Sequence, residues 1–356
     1  MAHNIHQRLD GTYQALYVGK PAWHNLGEVI TEHVTAKQVY ARVFNKRLIT
    51  TVPAYAKIKG KLVEATDFRF TADEKAGTIF GAVGADYPPI SDLVALETLE
   101  SIVKASRKKA AIVAAFTLGN GARASATLDL TRVMSAKDLA IVGDPSAFEP
   151  FLIGDWSHDG KSAIRYMRGV NRVDCNNMLD AANGRADKSG RIVRIIHAGG
   201  EQTIAQQLED AERVLGFAVR DIKLNAKLLN ELAKISLPSP DKWFEGFTDM
   251  LIPIPETMER PVSRETARTL MVDLWNHSKT LATVPKSPYR AFQVVAEYGD
   301  HFRPLRIADG QDRAAAERRF RSITEGPSAD MKARAMELIR QEFEIREKVA
   351  VAVKRN

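Results

Sequence analysis

Residues 48–83 read "LITTVPAYAKIKGKLVEATDFRFTADEKAGTIFGAV", and the reading of this stretch decides the fold class. Three runs rich in β-branched and aromatic residues are separated by "KGK" and "ADEKAG", both turn-forming, so a three-stranded antiparallel meander is expected. "ADYPPISD" breaks the pattern. Ser91 or Asp92 then caps a helix whose Leu93, Leu96, Leu99, Ile102 and Val103 fall on one face. Consecutive strands followed by a helix, rather than strictly alternating strands and helices, point to an α+β protein.

Downstream the pattern continues. "KAAIVAAFTL" and "ARASATLDLTRV" are joined by "GNG", a hairpin signal. "FLIGDWS" and "SAIRYMRGVNRV" are joined by "HDGK", after which a short helix is expected over 174–183, ending at Gly184. "GRIVRIIHAGG" reads as a further strand. From Glu201 onward Ile204, Leu208, Ala211 and Leu215 keep helical spacing, and helices are expected at 263–283, 288–298, 311–325 and 328–350. The architecture expected is an antiparallel β-meander and hairpins backed by helices, with a mostly helical C-terminal half. By region, 1–45 is an N-terminal arm and loop, 46–200 a basic α+β core and 201–236 a helical extension. Residues 237–262 form a Pro-rich linker and 263–356 a C-terminal helical region.

Of the 356 residues, 45% are hydrophobic and 27% charged, ordinary for a globular chain. The apolar runs fall short of the roughly 20 residues that cross a bilayer, and "MAHNIHQRLD" lacks the apolar core of a secretion signal. One cysteine excludes an internal disulfide framework. A cytoplasmic protein is expected.

The chain carries 51 Lys+Arg against 44 Asp+Glu, a net charge of +7. Between Ser101 and Gly200 there are 15 Lys/Arg and 9 Asp/Glu, so one hundred residues hold nearly all of the excess. Such a local basic stripe is the electrostatic footprint of a polyanion partner, or else a solvated lysine- and arginine-rich surface. Its centre is "GKSAIRYMRGVNRVDCNNML" at 160–179, where Arg165, Arg168 and Arg172 lie on one strand with Tyr166 among them. Arginine binds phosphate through a planar fork, and an aromatic beside it offers a stacking face. In a regular strand Arg165 and Arg168 face opposite ways, so two of the three share a surface. Arg191 and Arg194 on the next strand extend the stripe. Asn176 and Asn177 would position a phosphate at the start of the expected helix, or simply cap it. Lys108 and Lys109, in "SRKKAA", form a second basic cluster that either edges a groove or solvates a helix end.

No reaction centre is evident. Asp155, His158 and Asp159 resemble part of a metal site, but the same residues suit a Gly-containing turn. His3, His6, His24 and His33 lack ligand spacing, and "FTLGNGARA" lacks the third glycine of a nucleotide fingerprint. No cofactor is expected.

Several phrases together carry a family likeness. "MAHNI" with "GKPAWHNLG", "HDGKSAIRYMRGVNRVDCNNMLDAA", "SPYRAFQVVAEYGDHFRPLR" and "DRAAAERRFRSITEGPSADMKARAMELI" resemble the phage/plasmid-like protein family, in order and over essentially the whole chain. That family is a domain of unknown function found in phages, prophages and plasmids. More loosely, three strands and a helix, then hairpins, a basic strand and a short helix, resemble the architecture of the Redβ-like single-strand annealing recombinases. This second likeness implies a ring or filament that holds single-stranded DNA without an enzymatic active site.

Two functions follow as expectations. One is a single-stranded nucleic-acid-binding protein of a mobile element that promotes annealing and recombination. It would act as a homo-oligomer, with phage or host replication and recombination proteins as further partners. Its contacts would come from Arg165, Tyr166, Arg168, Arg172, Asn176, Asn177, Arg191, Arg194, Lys108 and Lys109. The other is a protein-interaction factor for host takeover, anti-defence or assembly, with the basic strand as a solvated edge. A metal-dependent nuclease stands third.

Overall fold

In the computed structural model the described residues are 5–8, 10–19, 26–160, 164–173, 177–178, 192–195, 204–254, 262–304, 318–319, 322–324 and 326–344. Two short strands, β1 (Ala15–Val18) and β2 (Glu28–Ile30), precede α1 (Ala36–Arg42). Thr35 and Gln38 close a capping box at the start of α1. The 48–83 stretch then forms its three antiparallel strands, β3 (Ile49–Ile58), β4 (Lys61–Asp73) and β5 (Thr78–Gly84), as a sheet of their own. Ser91 caps α2 (Asp92–Ala105), with Leu96, Leu99 and Ile102 buried.

The larger sheet follows. Its strands are β6 (Ala111–Leu118), β7 (Arg123–Asp129), β8 (Phe148–Ser157), β9 (Ile164–Arg172), β10 (Asn177–Met178) and β11 (Ile192–Ile195), with the short helix α3 (Ala136–Leu139) between β7 and β8. In space the order is β10-β9-β8-β7-β6-β1-β2, and β11 also pairs with β9. Every pair is antiparallel except β1 with β2. The "GNG" turn stands where a hairpin was expected, and β8 pairs antiparallel with β9 on either side of "HDGK", whose Lys161 lies outside the described residues. The helix expected over 174–183 is corrected: Asn177 and Met178 form β10 opposite Arg172 and Asn171. The open backbone groups of β9 outcompete a helix start there. The rest of 174–183, Cys175 and Asn176 included, lies outside the described residues.

One face of this sheet is covered by α2 and by α4 (Ile204–Lys234). Gly154 of β8 lets α2 approach: a Cβ there would stand 3.1 Å from the Leu99 side chain. Along α4, Ala211, Val214, Ala218, Ile222, Ala226, Leu229 and Leu232 make a buried stripe at helical spacing. Beyond it come α5 (Pro240–Leu251), α6 (Val262–His277), α7 (Pro288–Glu297) and α8 (Pro327–Glu342). Within 237–262, read above as a Pro-rich linker, α5 occupies 240–251 because Pro240 sits at the first helical turn, where proline is tolerated. α7 is buried along its whole length, and one continuous core runs from Leu16 of β1 to Ile339 of α8. The protein is an α+β fold with its helices concentrated in the C-terminal half. Among the described residues no helix is long and apolar enough to cross a membrane.

Candidate nucleic-acid interface

The arginines of β9 alternate as strand geometry requires. Arg168 and Arg172 share the parity of the buried Ile164, Tyr166 and Val170, the side covered by α4, and Arg165 has the opposite parity. Their guanidinium groups are engaged inside the protein. Arg172 donates from Nε and Nη2 to the Asp144 carboxylate at 2.7 and 2.8 Å, with both side chains fully buried. The Tyr289 hydroxyl of α7 donates to the same carboxylate at 2.5 Å. Burial opposes the charge on Asp144, but the bonds from Arg172, Tyr289 and the Ser146 backbone outweigh it and hold the carboxyl below its usual range. Arg168 pairs with Asp221 of α4. Arg165 pairs with Asp155, which also takes Arg123 at 2.7 and 2.8 Å.

The three guanidinium groups for which phosphate contacts were expected are therefore held in ion pairs, Arg165 by Asp155 of the neighbouring strand and Arg168 and Arg172 by carboxylates farther away in the sequence. Tyr166, expected to offer a stacking face, lies inside as well. It is 1% exposed, packed in the core, and has no face to offer a base; burial pushes its phenol upward. Arg194 stands opposite Arg165 on β11, and Asn177 opposite Arg172 on β10. Arg191 and Asn176 lie outside the described residues.

Lys108 and Lys109 are placed differently. Together with Arg107 they are exposed where α2 ends and β6 begins. Arg107 and Lys108 take left-handed backbone angles, φ 55° and 59°, and the Lys108 amide closes the helix on the Val103 carbonyl at 2.9 Å. Ala111 pairs with Asp129, so this basic rim lies at the sheet end from which the β7–β8 connection departs.

That connection builds a groove. A cavity of about 890 Å³ opens between it and α4. Among the described residues Lys137, Arg220, Lys223, Lys227 and Lys234 line it against a single acid, Asp138, which bonds to Lys223 at 2.9 Å. Arg220, Lys223, Lys227 and Lys234 recur at helical spacing on one face of α4, spanning about 21 Å at 1.5 Å per residue. Between the cations, Val142 (55% exposed) and Leu224 (40%) give the groove an apolar floor. Asn230 fixes the opposite wall. It accepts from the Val142 amide at 2.8 Å and donates to the Ala140 carbonyl at 2.6 Å, tying the connection to α4.

These cations escaped the sequence reading. Residues 201–236 contain 5 Lys/Arg and 6 Asp/Glu, so the region sums to nearly nothing. The acids Glu209, Asp210 and Glu212 crowd its first part and Asp221 pairs with Arg168, while four of the five cations share one face of its second part with Glu231. Helical phase, rather than net charge, was the signal.

At the other end of the sheet Asp92, the first residue of α2, is fully buried and gathers four donors. Arg47 donates from Nε at 2.6 Å and Nη2 at 3.0 Å, and Trp156 Nε1 at 2.8 Å, while His158 Nε2 lies 2.9 Å away. Burial opposes ionisation here, but His158 and Arg47 outweigh it and keep the carboxyl well below its usual range. Arg47 also donates to the Gly121 carbonyl at 2.8 Å, so this centre locks the foot of the β3–β4 arm to the sheet. His158, read above beside a possible metal turn, is thus part of the core. Among the described residues no group of three or more His, Cys, Asp or Glu could hold a metal ion.

An α+β protein with a cation-lined groove on one helix is what fold and site define. The family model for a domain of unknown function, DUF932, matches residues 79–324, and the chain belongs to that family. All the groove residues lie within the match, whereas β3 and β4 precede it. No curated protein matches the chain, and no solved structure matches it.

Proposed function

We propose that the protein binds single-stranded nucleic acid, with the phosphate backbone along the groove between α4 and the β7–β8 connection. One observation carries this: five cations around a groove with one acid, itself paired. Phosphate contacts of this kind supply affinity without chemistry, so no reaction centre is required. The preference for single strands rests on Val142 and Leu224. Exposed apolar side chains between cations suit unstacked bases, which a duplex keeps inside. A protein that holds one strand with its bases accessible promotes annealing, which fits the mobile-element family that the sequence resembles. Repetition of the groove in a ring or filament of copies would multiply weak contacts. Arg107, Lys108 and Lys109 extend the path at the same end of the sheet.

Fluorescence anisotropy of a labelled single-stranded oligonucleotide tests this. The five groove cations, each on one phosphate, contribute about −3.5 to the slope of log affinity against log salt. In the variant Arg220→Ala/Lys227→Ala/Lys234→Ala the slope becomes shallower by about 2.1. Binding at the full slope in that variant moves the nucleic acid elsewhere, and no binding by the parent protein at low salt ends the proposal.

A further inference from the structure

Residues Tyr55–Glu64, the tip of the β3–β4 arm, are all exposed. Tyr55–Ile58 pair only with Lys61–Glu64, because β5 joins β4 from Phe68 onward. A two-residue turn, Lys59 and Gly60 with φ 48° and 83°, closes the tip as hairpin twist demands. Below it, residues 65–68 of β4 stand opposite Ala54 alone, an irregularity that bends the arm. A free two-stranded hairpin is marginal in water, and this one also exposes Leu62 (74%), Ile58 (55%) and Tyr55 (53%).

The register distributes these side chains. Tyr55, Lys57, Leu62 and Glu64 share one face; Ala56, Ile58, Lys61 and Val63 share the other. Each face therefore sets a lysine beside apolar groups, with Lys59 at the turn and Glu64 the only acid. The outer edge of β3 carries Pro53 and Lys57, which discourage pairing with a second sheet. A surface built to dock a protein gathers its apolar area on one side. Here both sides of a thin blade are apolar and cationic together, which suits insertion among bases flanked by phosphates.

We infer that the β3–β4 arm is a second nucleic-acid contact, its apolar tip packing among unstacked bases while Lys57, Lys59 and Lys61 hold the flanking phosphates. This rests on the single-strand binding proposed above and adds a separate site. The foot of the arm lies at the sheet end of the β6–β7 and β8–β9 turns, where Arg47 bonds Gly121 and Gly81 backs onto Asp159. The groove lies at the other end, so the length of β7, 7 residues or about 24 Å, separates the foot of the arm from the groove end of the sheet.

The test uses an oligonucleotide carrying 2-aminopurine, whose fluorescence rises on unstacking. The parent protein is expected to raise the signal. Ile58→Ser/Leu62→Ser, at exposed positions, removes the rise and leaves the salt slope unchanged. Lys57→Ala/Lys59→Ala/Lys61→Ala makes the slope shallower by about 2. Binding whose slope answers to the α4 cations, with a 2-aminopurine rise indifferent to both arm variants, overturns the arm contact and leaves the groove standing. No binding by the parent protein at low salt overturns both. A fall in oligomer mass in Ile58→Ser/Leu62→Ser, measured by light scattering, with 2-aminopurine unaffected, overturns the inference in favour of docking between copies.

Discussion

Arg172 and Asp144 face each other through two hydrogen bonds of 2.7 and 2.8 Å, and neither side chain reaches solvent. The pair joins the end of β9 to the β7–β8 connection, and Tyr289 carries the link into α7. Removing one member strands the other charge in the core. Arg172→Ala is therefore expected to destabilise the fold by about 3–5 kcal/mol. Lys at this position recovers part of that, since an ammonium lacks the two-pronged fit. Urea denaturation measures the loss, and oligonucleotide affinity per folded molecule should not move. A variant of unchanged stability with weakened binding would restore Arg172 to the interface.

Asp92 makes the fold sensitive to acid. Its carboxyl is held below the ordinary value in the folded state, despite burial, by His158 and Arg47. The unfolded carboxyl titrates near about 3.9. A depressed folded pKa contributes stability that is present above the unfolded value and lost as pH falls through the folded one. Asp144 shifts in the same direction. Denaturation midpoints should hold steady from neutral pH to about pH 5 and fall steadily below it. Asp92→Asn is less stable at neutral pH and falls less steeply in acid, the remaining slope coming from Asp144 and from Asp10, Asp138 and Asp241, which hydrogen bonds also hold low. Parallel profiles for parent and variant would remove Asp92 from the acid response.

The strands and helices were legible because they depend on nearby residues. The β-branched and aromatic runs of 48–83 with their turns, the "GNG" turn and the Ser91 cap each act within a few positions, and each stands in the structure. The basic segment was legible as charge but not as surface. Whether Arg168 meets solvent depends on Asp221, 53 positions away, and Arg172 depends on Asp144 and Tyr289. Such pairings belong to the tertiary fold. The short helix after Arg172 failed for a related reason: the edge of β9 is a partner that a local cap cannot anticipate. The exposed clusters fared better in part. Lys108 and Lys109 are on the surface, while the α4 cations were hidden by acids on the same helix.

Asn230 shapes the groove without carrying charge. Its amide spans the Val142 amide and the Ala140 carbonyl, holding the wall that bears Val142. Asn230→Ala is expected to cost about 1 kcal/mol of stability per lost bond, and to weaken oligonucleotide binding several-fold as the wall loosens. The salt slope, which counts phosphate contacts, should stay as it was. A change in slope with affinity preserved would contradict this positioning role.

Lys108 offers the sharpest separation of binding from folding. It sits at φ 59°, a left-handed angle that costs an ordinary side chain about 1–2 kcal/mol and glycine nothing. Glycine also widens the unfolded ensemble, which offsets part of the relief. Lys108→Gly should therefore lie within about 1 kcal/mol of the parent in stability, with the bond from its amide to Val103 intact. Lys108→Ala keeps the strain and removes the charge. Both variants lose one cation from the rim, so both should bind single strands more weakly, with slopes shallower by about 0.7. Calorimetry and anisotropy on the pair decide the point. Equal losses of slope at unequal stability place Lys108 on the nucleic-acid path, whereas unchanged slopes confine the path to α4 and leave "SRKKAA" as a solvated helix end.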